Sequence, residues 1–260
     1  MIRALMTGSR LRLEALEDGR VFHLTLASPP GNILDLPLVE ELRSAMRTLV
    51  RSAPQAVILS GEGANFSFGA SVADHLPERI GPFLSAFHGL VREVLDRAPY
   101  MVGAVRGVCV GGGLELVLLA QRVVAAPGAR LGLPEIQLGV FAPVASLLLP
   151  LRIGQAAADD LLLTGRHVPA AEALAMRLVD ELADEPVSAA LHWVKAHLLK
   201  LSRSSLQFAK GVARTQFASL LRTHLDAVES LYLRELMRTR DAVEGVRAFL
   251  EKRAPKFEHS

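Results

Sequence analysis

Apolar residues at every second position mark the first two elements: Leu11, Leu13 and Ala15 alternate with polar neighbours, as do Phe22, Leu24 and Leu26. Asp18-Gly19 between the runs is a hairpin turn signal, so the spacing predicts two antiparallel strands. The period then lengthens. Asp35 stands as an N-cap with Pro37 just inside a helix whose apolar face is Leu38, Leu42, Ala45, Met46 and Leu49, and Pro54 ends it. Residues 56–59, AVIL, read as a short, fully apolar strand. Helical spacing returns from Glu78 to Arg97 through Phe83, Phe87, Leu90, Val91 and Val94, closed by Pro99. A strand-like run from Val102 to Val108, an apolar helix-like segment through Leu114 and a short strand in residues 122–126, RVVAA, complete the series. Strand and helix in alternation argue an α/β domain with parallel strands and right-handed crossovers.

From Val144 onward strands nearly vanish. Residues 144–153, 156–163, 170–176, 187–201, 206–217, 221–238 and 242–253 can all be drawn as helices. A tail so helical packs onto the core or onto a neighbouring subunit. Trp193 and the stripe Leu220, His224, Ala227, Leu231 fit either an oligomer surface or intrachain packing.

The whole-chain properties narrow the class. At 260 residues, half of them apolar, the chain suits one large globular domain or a domain with an appendage. A net charge of +2, from 29 basic and 27 acidic residues, gives no electrostatic case for nucleic acid, and no basic run is long enough for a nucleic-acid patch. Cys109 is the only cysteine, which excludes an intramolecular disulfide and a cysteine-rich zinc site; its apolar neighbours make it a packed small hydrophobe. The first twenty residues show no signal-peptide pattern, and there is no uncharged apolar run of about 18 residues. The expectation is a soluble, cytoplasmic protein without a membrane span.

Residues 103–141 hold the candidate chemistry. Three consecutive glycines, Gly111 to Gly113, precede Glu115, which Leu114, Leu116, Val117, Leu118 and Leu119 flank; Glu135 follows behind Pro134. A helix apolar nearly all round is buried, and an acid within it costs several kcal/mol unless paired, hydrogen-bonded or held neutral. A structural carboxylate satisfied by an arginine or by backbone N–H groups would account for one such acid. The glycines add something else, since a triple glycine entering a helix lets backbone N–H groups lie bare beside a ligand, equipment for holding an oxyanion. The loop 61–71 carries Phe66 and Phe68 and either packs inward or lines a site. Other chemistries lack their marks. Residues 107–113 do not match GxGxxG, and no glycine precedes Lys-Ser or Lys-Thr. Gly69-Ala-Ser71-Val-Ala73, with His75 downstream, lacks the second glycine of a serine-hydrolase elbow. No HExxH occurs, so no catalytic metal is predicted.

Several motifs together resemble the enoyl-CoA hydratase/isomerase (crotonase) superfamily over nearly the whole chain: Phe68-Gly-Ala70-Ser, Ala104-Val-Arg-Gly-Val, Gly111-Gly-Gly-Leu-Glu115-Leu, Leu133-Pro-Glu135-Ile-Gln-Leu-Gly139, Leu163-Thr-Gly165 and residues 244–253, EGVRAFLEKR. Glu115 and Glu135 stand 20 apart, as in family members that hydrate double bonds with two acids. The resemblance implies an α/β spiral of ββα units over residues 1–195, with a helical region, residues 196–260, that builds homotrimers or dimers of trimers. It implies that the backbone N–H groups of Ala70 and Gly112 form an oxyanion hole, worth about 3–4 kcal/mol per donor in comparable sites. Glu115 and Glu135 would act on a water as acid and base, in either assignment. Phe68, Ala70, Ser71 and Gly112 would bind the acyl-CoA, the segments 66–73 and 27–36 wrapping its pantetheine and adenosine. CoA would be part of the substrate, with no resident cofactor and no metal.

Two departures from the family pattern bear on the acyl group. Most members carry Asp where this chain has Ser71, and a glycine-rich segment where this chain has Phe141-Ala-Pro-Val-Ala-Ser-Leu-Leu-Leu-Pro150. The pocket wall is expected to be stiffer and more apolar. The pair FSFGASV and VFAPVAS is similar to alicyclic dienoyl-CoA hydratases, which act on cyclohexa-1,5-diene-1-carbonyl-CoA. Isomerisation, dehydration or decarboxylation on the same scaffold, and acyl-CoA binding without turnover, remain the competing activities.

Overall fold

A computed structural model describes residues 3–6 and 10–259, so the segment read above as lacking a signal peptide lies partly outside the described residues. In chain order, β1 (Arg3–Met6), β2 (Leu11–Leu16) and β3 (Val21–Leu26) form an antiparallel ribbon whose β2–β3 turn contains Asp18 and Gly19. Helix α1 (Leu36–Ser52) starts at Asp35, whose side chain accepts from Leu38 N. Then come β4 (Ala56–Gly61), α2 (Ile80–Arg97), β5 (Tyr100–Val105), β6 (Val108–Val110), α3 (Gly112–Leu118), β7 (Arg122–Ala125) and β8 (Arg130–Gly132). The remainder is α4 (Pro143–Ile153), α5 (Gln155–Thr164), β9 (His167–Pro169), α6 (Ala170–Ala175), β10 (Glu181–Leu182), α7 (Pro186–His197), α8 (Arg203–Ala213), α9 (Thr215–Arg234) and α10 (Arg240–Leu250).

Among the described residues the strands form two sheets. The larger runs β1-β2-β3-β4-β5-β7-β10, parallel from β3 onward; the smaller runs β6-β8-β9. Strand β4 is apolar on both faces because both are covered. Val57 and Leu59 join the main core with Leu13, Leu24, Leu42 and Phe87, while Ala56 and Ile58 join a second cluster with Val102, Val124, Ala190 and Val194 under α7.

The strand-like run from Val102 to Val108 is two strands. The chain leaves the larger sheet at Gly107 and enters the smaller. Gly107 has φ +57°, and a Cβ there would lie 2.0 Å from the carbonyl oxygen of Ala64, so no other residue fits the step. Four strands are not evident in the pattern: β1, ahead of the two predicted to open the fold, and β8, β9 and β10, each only two or three residues long. The break predicted between residues 217 and 221 lies instead at Arg214, between α8 and α9.

The two oligomer candidates part ways. Trp193 packs within the chain, stacked on Tyr100 at 5.7 Å between centroids with the Arg122 guanidinium 4.6 Å over its ring. Along α9, the residues that turn inward are Leu221, Leu225 and Tyr232, one position past the predicted stripe; His224, Ala227 and Leu231 face outward. The inward row packs against α2 and α4.

Candidate active site

The polar half of the site hangs from the smaller sheet. Strand β6 ends at Gly111, which turns the chain into α3 with φ +54°; a Cβ at that position would sit 2.8 Å from Glu135 Oε1. Glycine there allows the turn and the close approach of the second acid at once. Helix α3 is buried throughout, as its apolar sequence requires, and carries Glu115 in its first turn. Glu135 stands in a 3-10 turn, Pro134–Leu138, directly after Gly132 and Leu133 at the end of β8; Gly111 N donates to Gly132 O at 3.0 Å and ties the two strand ends together.

The loop 61–71 is sewn to the same sheet. Phe66 N and Ser67 N donate to Val108 O, and Val110 N donates to Ser67 O. Its two phenylalanines divide: Phe66 is fully buried, whereas Phe68 is 45% exposed with its ring over Gly31. Asn32, fully buried, laces this loop to the 27–36 loop by donating to the carbonyls of Glu62, Asn65 and Phe66. Leu34 bridges Ala70: Leu34 N donates to Gly69 O and Leu34 O accepts from Ser71 N. Those two bonds use the groups on either side of Ala70, so the N–H of Ala70 itself points away from Leu34. A Cβ built on Gly112 would lie 3.4 Å from Ala70 N.

Ala70, Gly112, Glu115 and Glu135 line one small cavity of about 20 Å³, together with His75, Phe83, Leu84, Phe87, Phe141, Ala142, Pro143 and Tyr232. The wall is largely apolar and aromatic; from 141–150 only Phe141, Ala142 and Pro143 enter it, and the other rings come from His75, Phe83, Phe87 and Tyr232. Phe68 and Ser71 stand beside this cavity, outside its wall. His75 Nδ1 donates to the main-chain oxygen of Ser71, so the two do not form a nucleophile and base.

The two acids have different surroundings. Glu115 Oε1 accepts from Val144 N at 2.8 Å and Ala145 N at 2.9 Å, the first amides of α4, which Pro143 starts. Burial pushes its pKa up, while the Ala145 amide, the nearby His88 and the Val144 amide pull it down. Glu135 has less help, since only its own amide pulls its carboxyl down. Although the residue is only partly buried, its Oε2 is shut off from solvent and has no hydrogen-bond partner among the described residues. Burial and the charge of Glu115 push its carboxyl up to about 8. Behind the cavity, the fully buried His88 on α2 donates from Nδ1 to Glu229 Oε2 on α9 at 2.6 Å; this hydrogen bond holds Glu229 below the usual carboxylate range.

Sequence reasoning missed Asn32, His88, Glu229 and Tyr232. His88 left one signal, an imidazole inside the apolar arc of α2 next to Phe87. Burial raises the Cys109 thiol, as befits a packed residue. Among the described residues no group of three or more His, Cys, Asp or Glu could hold a metal ion, and no helix is long and apolar enough to cross a membrane.

Comparison with known proteins gives a consistent set. The family model described as enoyl-CoA hydratase/isomerase matches residues 17–260. The chain is 47% identical to a cyclohexa-1,5-dienecarbonyl-CoA hydratase of Thauera aromatica, over 96% of this chain and 98% of that one. It is 35% identical to a probable enoyl-CoA hydratase of Mycobacterium leprae, over 94% and 97% of the two chains. Its fold is similar to the crystal structure of an enoyl-CoA hydratase from Mycobacterium avium subsp. paratuberculosis, with a TM-score of 0.83 and 26% identity over 96% of this chain and 98% of the other.

Proposed function

Because the chain belongs to the enoyl-CoA hydratase/isomerase family, we propose that it adds water across a double bond conjugated to a CoA thioester, with a cyclic dienoyl-CoA as its substrate. The observation that carries this is the single cavity lined by Ala70, Gly112 and two unequally held carboxyls, Glu115 and Glu135. The 47% identity to the Thauera aromatica enzyme and the apolar, aromatic wall support the cyclic acyl group.

The chemistry follows from the electrostatics. Ala70 N and Gly112 N receive the thioester oxygen and bind it more strongly as it takes up enolate charge. Glu115, whose Oε1 two main-chain amides hold in place, is the base: it takes a proton from the water as the water oxygen bonds to the β-carbon. The π electrons move onto the α-carbon and the thioester oxygen. Glu135, protonated near neutrality, gives its proton to the α-carbon. Transfer of a proton from Glu115 to Glu135 restores the starting state, so one water is consumed and nothing else. No resident cofactor is needed in this scheme.

The same proposal includes the parts that rest on family likeness: Phe68 and Ser71 beside the CoA moiety, residues 1–195 as the catalytic region, residues 196–260 as the assembly region of a trimer or dimer of trimers, and a cytoplasmic location. The exposed apolar side chains of Phe208 and Val212 on α8 support an assembly surface there, which light scattering of the purified protein tests. For the activity, loss of the conjugated-thioester absorbance is followed with cyclohexa-1,5-diene-1-carbonyl-CoA and with crotonyl-CoA. Turnover of the first in preference to the second is expected; no absorbance loss with either sinks the proposal.

A further inference from the structure

One buried polar atom beside the two acids has no role in the scheme above. The hydroxyl of Tyr232 has no hydrogen-bond partner among the described residues, and the residue is fully buried. It lines the same cavity as Ala70, Gly112, Glu115 and Glu135. Its ring meets Phe141 edge-on, 5.2 Å between centroids, which fixes the plane of the phenol between the aromatic wall and the acids. A buried hydroxyl without a partner is unfavourable, and phenylalanine would fill the same space without that cost. Glu135 Oε2, on the same cavity, is likewise unpartnered. A donor and a carboxyl thus face one space.

The tyrosine is also aimed from behind. Glu229 lies one helical turn before Tyr232 on α9 and accepts from His88 of α2. That tie fixes the rotation and height of α9 against α2, and so the direction of the phenol.

Resting on the hydratase reading, we propose that Tyr232 donates a hydrogen bond to the oxygen being added to or removed from the acyl group, with the His88–Glu229 pair as the positioning device. The water attacks the β-carbon with one lone pair and accepts from Tyr232 with the other, while its proton passes to Glu115. In the reverse direction the C–O electron pair goes to the departing oxygen, which the phenol's hydrogen bond stabilises until Glu115 returns the proton. Tyr232 exchanges no proton. Burial, Glu135 and Glu115 all hold the phenol above its ordinary range, so it remains a neutral donor.

The test uses the full-length protein and whichever of cyclohexa-1,5-diene-1-carbonyl-CoA and crotonyl-CoA the wild type hydrates. Tyr232→Phe is expected to lower kcat at least about tenfold, the scale of one lost hydrogen bond in a transition state. KM should stay within about threefold, and the melting temperature should hold or rise. Glu229→Ala should lose kcat in the same way, Glu229→Gln, whose amide oxygen still accepts from His88, should recover most of it, and adding Glu229→Ala to Tyr232→Phe should cost little more. A kcat loss of less than fivefold in Tyr232→Phe, or a loss matched by a lower melting temperature, overturns the role of Tyr232. Additive losses overturn the positioning role of Glu229. A wild type that hydrates neither thioester removes the hydratase reading and this one with it, whereas an active wild type with an indifferent Tyr232→Phe removes Tyr232 alone.

Discussion

Glu135→Gln separates the thermodynamics of the second acid from its chemistry. The folded protein holds this proton up to about pH 8, against an ordinary carboxyl value of 4.5. At about 1.4 kcal/mol per pH unit, the difference sets a ceiling of about 5 kcal/mol on the cost of ionising the group in place. Water entry and relaxation of the cavity lower what is realised, to about 2–3 kcal/mol. The sign follows from the proton being bound more tightly in the folded state: the stabilisation is complete below about pH 4.5 and is lost as pH rises through 8. Glutamine carries no proton to lose. The assay is the melting temperature of wild type and variant at pH 5.5 and at pH 9.5, where the difference between the proteins cancels the other titrating groups. Part of the stabilisation is already gone at pH 5.5, so the variant should gain roughly 3–8 °C on the wild type between the two conditions, at about 2–4 °C per kcal/mol for a chain of this size. Melting curves equally spaced at both pH values would refute the raised carboxyl, and with it the assignment of Glu135 as the acid. In the hydration assay the same variant should lose at least about a hundredfold in kcat.

Other outcomes follow from the same geometry. Glu115→Gln should keep its fold, since the amide oxygen still accepts from Val144 N and Ala145 N, yet lose at least about a hundredfold in kcat; near-normal turnover removes Glu115 from the mechanism. The wild-type kcat/KM should fall as pH rises through about 8, where Glu135 gives up its proton, and a profile flat from pH 7 to 10 contradicts this. Gly111→Ala should destabilise by about 1–3 kcal/mol through its positive φ, and should lower kcat further by displacing the Glu135 carboxyl 2.8 Å from the new methyl; urea unfolding and turnover measured together check both. Leu225→Ala, under α9, should cost about 2–5 kcal/mol in urea unfolding, and a value near zero would mean that α9 is not packed as described.

What could be read from the sequence was whatever local chemistry decides. Asp35 caps α1 because a short carboxylate two residues before a proline has one nearby N–H to meet, and Asp18-Gly19 makes its turn without help from the rest of the chain. Glu115 and Glu135 stood out because their neighbours are apolar. The failures have a common origin in tertiary contact. Residues 102–108 look like one strand since both halves are apolar; only the carbonyl of Ala64, far off in sequence, makes Gly107 a corner. Strands β8 to β10 exist only through partners elsewhere. On α9, two adjacent rows, one through Leu220 and Leu231 and one through Leu221 and Tyr232, have equally good helical spacing, and the position of α4 chooses between them. Choosing the wrong row hid the tyrosine.

The corner at Gly107 has an effect on how this molecule can diverge. It hands Gly112, Glu115 and Glu135 to a three-strand frame, while helices α2, α4 and α9 supply most of the upholstery that lines the cavity. Reactivity and taste are thus lodged in separate parts. A descendant could exchange Phe83, Phe87 or Phe141 for smaller or larger side chains and accept a new guest, while the acids and amides kept their mutual spacing.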